Sequence, residues 1–187
     1  MERERAPRRD AQQRREALIA AAEWCFEHQG YDVPLEYVAE RAGVGRGTLY
    51  RNFQDREALA LAIFTREIDR LEARLTQTEP MRETIAATVR DSAKASVLFS
   101  RIAVKLESSD ANLAKLRTLG ERMERALAPA VARAHARGEI DPDITPGDVA
   151  LAMRMVGGLL LRVVSDEEAD ERIEAALALL FRGLRPR

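Results

Sequence analysis

The segment LEYVAERAGVGRGTLYRNFQDREAL, residues 35–59, decides the fold of this chain. Pro34 precedes an apolar pattern typical of a two-turn helix, and Gly43 follows it as a residue that tolerates positive φ. A second short helix is predicted for Arg46–Asn52, and Asp55 stands where it would cap a longer helix. Two short helices joined by a tight turn that contains glycine are the layout of a helix-turn-helix.

The predicted helix Arg46–Asn52 has one apolar face and one polar face. At about 100° per residue, Leu49 and Phe53 fall together and must face the core. The opposite arc carries Arg46, Gly47, Thr48 and Arg51, with Tyr50 at its edge. An arginine can form a bidentate pair with guanine, hydroxyl groups can donate to phosphate, and a glycine lets the backbone come close. We therefore expect this arc to contact DNA.

Positive charge is concentrated near this helix, although the whole chain is nearly neutral. The formal net charge is -1, so no general basic field attracts nucleic acid. Residues 41–56 carry four arginines against Asp55, a local charge of +3, with Glu36 and Glu40 just upstream. Residues 1–15 carry six arginines against three acidic residues, again +3, and could reach phosphate or a minor groove.

The segment resembles the N-terminal motif of the TetR family of transcription regulators, which runs A-x-x-A-G-V-S-x-G-T-L-Y-x-x-F before a Lys or Arg. The resemblance covers about the first third of the chain. Gly45 replaces the usual serine cap, and Asn52 stands where an aromatic residue or histidine is common. Glycine is a weaker but acceptable N-cap. The matching residues are Ala39, Ala42, Gly43, Val44, Gly47, Thr48, Leu49, Tyr50, Phe53 and Arg56.

The resemblance implies a DNA-binding transcriptional regulator whose helical C-terminal domain holds a small ligand and dimerises through its last two helices. It implies base-edge contacts from Arg46 and Gly47. The phosphate contacts that it implies come from Thr48, Tyr50, Asn52 and Arg56. Arg51 joins this DNA-binding set from its place on the helix, not from the resemblance.

Three segments are expected along the chain. Residues 1–10 are highly charged and are predicted to form a flexible basic arm. Residues 11–56 are predicted to form the helix-turn-helix domain. Residues 57–187 are predicted to form the ligand-binding and dimerisation domain, and the helix that follows Asp55 is expected to link the two parts mechanically.

The rest of the pattern is helical, so the predicted fold class is all-α. Aromatic residues make up 5% of the chain, and runs of strand-favouring residues are nearly absent. The first helix is expected to start at Asp10, because Asp10 and Gln13 have capping-box spacing. Later helices are predicted at residues 80–107, long enough for two, and at residues 112–137, 146–164 and 166–184.

Two of these later helices start with complete capping signals. Thr145 supplies a cap and Asp148 a carboxylate three residues later, and Ser165 and Glu168 have the same spacing. Pro129 is expected to kink or divide the helix in which it lies.

The last two predicted helices carry extensive apolar surface. The helix at residues 146–164 is apolar around most of its circumference, and Gly157 and Gly158 would let another backbone approach. Together with the last helix it either closes the core of one subunit or forms a four-helix bundle across a two-fold axis. With the family resemblance we expect the homodimer, which would also hold two recognition helices about 34 Å apart, as a palindrome on one face of a duplex requires.

The ligand site is weakly indicated. Four basic residues fall on one helical stripe that could line a pocket for an anion, although a solvated charged face explains the same pattern. They are Arg90, Lys94, Arg101 and Lys105. Met123, Met153 and Met155 could line an adaptable apolar pocket, although filling gaps in a core is the ordinary role of methionine.

Other kinds of site find no support in the pattern. Cys25 is the single cysteine and is expected to be a small buried hydrophobe in a reducing compartment. His28 and His135 lie far apart in sequence and no second cysteine could complete a zinc site, so no metal site is predicted. No motif for acyl transfer is present, and neither a catalytic site nor a cofactor is predicted. The charged N-terminus lacks the core of a signal peptide and no apolar stretch could span a bilayer, so we expect a cytoplasmic protein without membrane contacts.

The sequence therefore predicts a homodimeric repressor that leaves a palindromic operator in double-stranded DNA when a small-molecule effector binds. One alternative is a DNA-binding dimer that responds to no ligand, a second is a transcriptional activator, and a third is an all-helical enzyme. Substitution of Arg46 and Tyr50 separates an enzyme from a regulator, because only DNA binding would need these side chains.

Overall fold

The computed structural model describes residues 5–75, 80–91, 102, 106, 110–159 and 166–183 of the 187-residue chain. Within these residues the secondary structure is helical without strands, which confirms the predicted all-α class. The eight helices in this part are α1 (Arg5–His28), α2 (Leu35–Arg41), α3 (Arg46–Asn52), α4 (Arg56–Leu75), α5 (Met81–Asp91), α6 (Asp110–Ala136), α7 (Pro146–Leu159) and α8 (Asp166–Gly183).

The chain divides into two compact units, Met1–Thr65 and Arg66–Arg187. The division lies inside α4, so this one helix supplies residues to both units. Each unit has buried apolar side chains of its own.

The first unit packs around apolar side chains of α1, α3 and α4. α1 packs against α2, and α2 packs against α3. Leu18 and Phe26 of α1 are buried, as are Leu49 of α3 and Leu59 of α4. Burying a side chain of this size contributes about 1.5–3 kcal/mol, so these side chains stabilise the first unit.

The turn between α2 and α3 depends on a left-handed glycine. Gly43 has φ of 67°, and its N–H donates to the carbonyl of Glu40 over 3.0 Å. The Val44 N–H donates to the carbonyl of Ala39 over 3.0 Å. This is the Schellman pattern, which satisfies carbonyl groups at the end of α2 and turns the chain into α3. The predicted role of Gly43 is confirmed.

The predicted start of α1 at Asp10 is wrong. The helix begins at Arg5, five residues earlier, so part of the predicted flexible arm is helical and residues 1–4 lie outside the described part. Pro7 fits the first turn because a backbone N–H there has no acceptor within the helix. Asp10 lies inside the helix, where its carboxylate is 3.8 Å from the Arg14 guanidinium.

The second unit is built from the end of α4 and from α5 to α8. α6 packs against α7, and α5 and α7 each pack against α8. Ile85, Leu127, Val149 and Leu177 are among its buried side chains. α6 continues through Pro129, so the proline does not divide this helix.

The helix start predicted at residue 145 is confirmed in atomic detail. The Thr145 N–H donates to Asp148 Oδ2 over 2.8 Å, and the Asp148 N–H donates to Thr145 Oγ1 over 3.2 Å. This reciprocal pair is a capping box at the start of α7. The companion prediction at Ser165 lies outside the described residues.

Candidate nucleic-acid interface

α3 is a seven-residue helix with a buried inner face and a glycine at its N-cap position. Gly45 has extended backbone angles, φ of -74° and ψ of 155°, and its carbonyl accepts the N–H of Thr48 over 2.9 Å. No side chain caps this end. Leu49 and Phe53 are buried as predicted, so the remaining side chains face outward or sideways.

The outer face of α3, which we define as Arg46, Gly47, Thr48, Tyr50 and Arg51, is open to solvent at most positions. The Arg46 side chain is 75% exposed, and Tyr50 is 48% exposed. Arg51 Nη2 donates to Thr48 Oγ1 over 3.2 Å and remains exposed. Two guanidinium groups, a phenol and a bare backbone segment therefore lie along one short helix. That chemistry suits base edges and phosphates.

Two predicted DNA-binding residues have partners inside the protein. Asn52 Nδ2 donates to the carbonyl of Thr48 over 2.8 Å, and the Asn52 side chain is half-buried. Arg56 Nη1 donates to the carbonyl of Tyr31, and its guanidinium carbon lies 5.5 Å from the Tyr31 ring centroid. The predicted phosphate contacts of Asn52 and Arg56 stay predictions, and each would have to be made by the part of the group that these bonds leave open.

Contacts between arginine and aromatic side chains join α1 to α2 and to the end of α3. Sequence reasoning did not predict these contacts. The Arg41 guanidinium carbon lies 3.4 Å from the centroid of the Trp24 ring, and the His28 ring stacks on Trp24 at 4.3 Å. Arg15 lies over the Phe53 ring at 4.5 Å. Cation–π contacts of this kind contribute about 0.5–2 kcal/mol. Arg41 therefore serves packing, although the local charge count grouped it with the DNA-facing arginines.

Two buried groups of the first unit have shifted pKa values. Burial raises the pKa of the Cys25 thiol, and the Arg41 charge partly offsets this. Burial also raises the pKa of Tyr31, helped by the negative charge of Glu57 and opposed by Arg56. Cys25 is a small buried hydrophobe, as expected, and its thiol is less acidic than usual. Both groups are therefore neutral near pH 7.

The predicted anion stripe is largely outside the described residues. Lys94, Arg101 and Lys105 fall in that part of the chain. Arg90 is described, and its guanidinium lies 3.3 Å from Asp170 and also pairs with Glu174 on α8. Its proposed role toward a ligand stays a prediction, and a ligand anion would compete with these carboxylates.

The predicted methionines differ in their surroundings. Met123 and Met153 pack partly buried against the core of the second unit, whereas Met155 is 59% exposed on α7. Met155 therefore points away from the core of its own unit.

Among the residues that the structure describes, no three His, Cys, Asp or Glu side chains gather in a way that could hold a metal ion. None of the described helices combines the length and apolar character that crossing a membrane requires.

Comparison with known proteins finds the same architecture elsewhere. Residues 18–63 match the family model of bacterial regulatory proteins, tetR family. An HTH-type transcriptional repressor of Mycobacterium tuberculosis is 28% identical over 182 residues, which cover 92% of this chain and 93% of that protein. The crystal structure of a TetR transcriptional regulator from Streptomyces coelicolor is 31% identical with a TM-score of 0.69, covering 92% of this chain and 98% of that chain.

A third protein is similar in fold. The crystal structure of a gamma-butyrolactone receptor is 24% identical with a TM-score of 0.58, covering 94% of this chain and 90% of that chain. The likeness to these proteins extends well beyond α1 to α4 into the second unit.

Proposed function

Since this chain belongs to the TetR family of bacterial regulatory proteins, it is a DNA-binding transcriptional regulator, and we propose that it represses transcription as a homodimer on a palindromic operator. The observation that carries the proposal is the exposed outer face of α3, above all Arg46 and Tyr50. Each protomer would place this face in a major groove, with Arg46 and Gly47 toward base edges.

The phosphate contacts follow from the same placement. Thr48, Tyr50 and Arg51 lie beside the residues that face the bases, and Asn52 and Arg56 follow at the end of α3 and the start of α4. Hydroxyl, amide and guanidinium groups all donate to phosphate oxygens, which fixes the register of the protein on the duplex. The set proposed to bind DNA is Arg46, Gly47, Thr48, Tyr50, Arg51, Asn52 and Arg56.

An apolar stripe on α7 supports the proposed homodimer. Leu151, Met155 and Leu159 recur every four residues and are 49%, 59% and 49% exposed, and Leu179 of α8 is 69% exposed. The opposite face of α7 is buried through Val149 and other small residues. A helix that keeps large apolar side chains in water after its own core is complete is suited to a partner, and a two-fold pairing of the last two helices would cover them.

Release by a small effector is the proposed mode of regulation. α4 carries residues of both units, so a ligand that favours a different position of α4 in the second unit would change how the first unit is presented. Such a ligand weakens DNA binding only by the ratio of its affinities for the two arrangements, and DNA must weaken the ligand equally. We propose no enzymatic activity, and we place the protein in the cytoplasm with the DNA that it binds.

The experiment selects duplexes from a random pool with the full-length protein and then measures affinity for the enriched sequence at fixed salt. We expect a palindromic sequence to be enriched. The Arg46→Ala and Tyr50→Phe variants should bind it at least about tenfold more weakly, since each removes a donor to the duplex. Arg125→Ala is the matched control, because Arg125 is also an exposed arginine but lies on α6.

The outcomes separate the alternatives. Equal affinity for unrelated duplexes at matched salt would contradict an operator-specific regulator and favour a general architectural protein. An enriched sequence whose affinity no compound changes in a ligand screen would favour a ligand-independent dimer. Reporter transcription that rises with the protein would identify an activator instead of a repressor.

A further inference from the structure

An ion pair connects the first turn of α2 to the first turn of α3. Glu36 Oε1 lies 4.0 Å from Arg46 Nε, and the two side chains are 40% and 75% exposed. Glu36 is the second residue of α2, and Arg46 is the first residue of α3. The Schellman turn at Gly43 brings the two helix starts to this separation. A negative charge therefore lies beside Arg46, the first arginine of the outer face of α3.

The edge of the guanidinium that Glu36 faces matters for recognition. Arginine carries five N–H donors in a rigid plane, and the two Nη groups form the edge that pairs with the O6 and N7 atoms of guanine. The carboxylate of Glu36 lies on the Nε side, so it leaves the Nη edge for a base. A partner on one edge also restricts the rotamers of a long exposed side chain that would otherwise lose this freedom on binding.

We propose that Glu36 is a positioning residue that orients Arg46 for a guanine and thereby sets sequence specificity. This inference rests on the proposed function, because it assigns Glu36 a part in the same DNA interface. A carboxylate beside a duplex repels phosphates and lowers affinity for every sequence. Glu36 therefore lowers the affinity for DNA in general and increases the discrimination between sequences.

The proposal predicts that removing the charge of Glu36 raises affinity for DNA and lowers discrimination between sequences. Glu36→Gln keeps the size of the side chain and removes its charge, so affinity for unrelated duplexes should rise. Discrimination should fall by about threefold to tenfold at the base pair that Arg46 reads, a fraction of what a bidentate contact supplies. That base pair is the position at which Arg46→Ala loses its preference. In the Arg46→Ala background, Glu36→Gln should change discrimination no further.

Glu40→Gln is the matched control. Glu40 lies one turn later on α2, is exposed, and carries the same charge. Its substitution should raise affinity for all duplexes without changing the ratio between matched and mismatched sequences. Far-UV circular dichroism and thermal midpoints of each variant confirm that the compared proteins are folded.

Three results would overturn the proposal in different ways. Unchanged discrimination in Glu36→Gln means that Glu36 does not orient Arg46. Equal effects of Glu36→Gln and Glu40→Gln mean that both residues act only through charge. A wild-type protein that enriches no sequence removes both this inference and the proposed function, whereas the first two results leave the proposed function intact.

Discussion

Gly47 is the residue at which folding and DNA binding can be separated. It is the second residue of α3, and among the described residues no atom beyond its chain neighbours and the backbone of α3 lies within 4 Å of where a Cβ would be. The protein itself therefore has room for alanine at this position. In the proposed complex the same position faces the duplex, where an added methyl group would meet a base or a phosphate.

We expect Gly47→Ala to keep or raise stability, by up to about 1 kcal/mol, because alanine favours helix over glycine. Affinity for the selected operator should fall about tenfold or more. Thermal unfolding and a DNA titration at fixed salt measure the two effects. Gly120→Ala on α6 is the control, since Gly120 is equally free of neighbours and should leave DNA binding unchanged. A Gly47→Ala protein that binds operator normally would place the duplex elsewhere.

Sequence periodicity could predict the inward residues of α3 but not the fate of its arginines. Leu49 and Phe53 recur at helical spacing, and this spacing alone assigns them to the core. Arg41 lies on Trp24 and Arg56 reaches the carbonyl of Tyr31, which are contacts between distant parts of the chain. No spacing rule distinguishes such an arginine from Arg46, which stays exposed. The exposed arc of α3 was therefore predictable from the sequence, whereas the partners of Arg41 and Arg56 inside the protein were not.

At the scale of helices, the capping signal at Asp55 predicted a helix start correctly, whereas the one at Asp10 did not. The Asp55 carboxylate accepts the N–H of Ala58 over 2.7 Å at the start of α4, as predicted. Asp10 has the same kind of spacing to Gln13, yet it lies inside α1 and faces Arg14. A carboxylate is also favourable inside a helix when a basic residue follows it four positions later. Sequence alone does not distinguish these two roles of an aspartate.

The capping box of α7 makes part of the stability depend on pH. The hydroxyl and then the N–H of Thr145 lower the pKa of Asp148 below its usual value of about 3.9. A group whose pKa is lowered by folding stabilises the fold above its unfolded pKa and loses this contribution as the pH falls through its folded pKa. Thr145→Val removes the hydroxyl donor, so the pKa of Asp148 should rise toward the usual value. The variant should be less stable at pH 7.

The measurement is the denaturant midpoint of both proteins at pH 7 and near pH 3, with the Asp148 carboxyl pKa followed by NMR. The part of the difference that depends on Asp148 should shrink at the lower pH. Thr118→Val is the control, because Thr118 bonds the carbonyl of Ala114 on α6 and no carboxylate. If the pKa of Asp148 stays the same in Thr145→Val, the hydroxyl does not hold it.

Two arginines of α6 donate hydrogen bonds to the second half of α4. Arg122 donates to Glu72 over 2.8 Å and 2.6 Å and to Asp69 over 2.5 Å, and its side chain is 31% exposed. Arg133 donates to the carbonyl of Leu75 over 2.8 Å, which satisfies a group at the end of α4. These contacts fix the part of α4 that lies in the second unit.

Arg122→Met should lower the free energy of unfolding by about 1–2 kcal/mol, since charge-assisted hydrogen bonds are lost and two carboxylates are left close together. Urea unfolding at low and high salt measures this, and high salt should reduce the loss. Arg125→Met is the control, because Arg125 makes one exposed contact with Glu121 at 3.9 Å and should change stability little. Equal effects of the two substitutions would show that the Arg122 network adds nothing.

At the scale of the whole molecule, the sequence could predict the class of fold and the apolar character of the last helices, because both depend on composition and periodicity. The exposed side of α7 follows from which face its own unit covers. Val149 and Val156 are buried, whereas Leu151 and Met155 are not, although all four are apolar. Sequence alone cannot divide a helix that is apolar all round into a buried face and an exposed face. The coordinates show which side chains of α7 lie on each.

Gly158→Ala tests whether this face meets a second copy. Among the described residues, no atom beyond its chain neighbours and the backbone of its own helix lies within 4 Å of the added methyl group, so the protomer should be as stable as before or more stable by up to about 1 kcal/mol. Dimer dissociation should become about tenfold easier if the partner backbone approaches at this glycine. Sedimentation equilibrium measures the change. Met155→Lys should weaken the dimer too, and unchanged association in both variants would exclude α7 from the interface.

α4 passes through the division between the units, and a growing chain makes residues 56–65 before residues 66–75. Beginning a helix is the unfavourable step, with a statistical weight of about 10⁻³, whereas lengthening one is close to free. Once the first unit has closed around Leu59 and Ile63, later residues join an existing spiral instead of starting their own. We therefore expect the first unit to supply the formed turns of α4 from which residues 66–75 continue the helix.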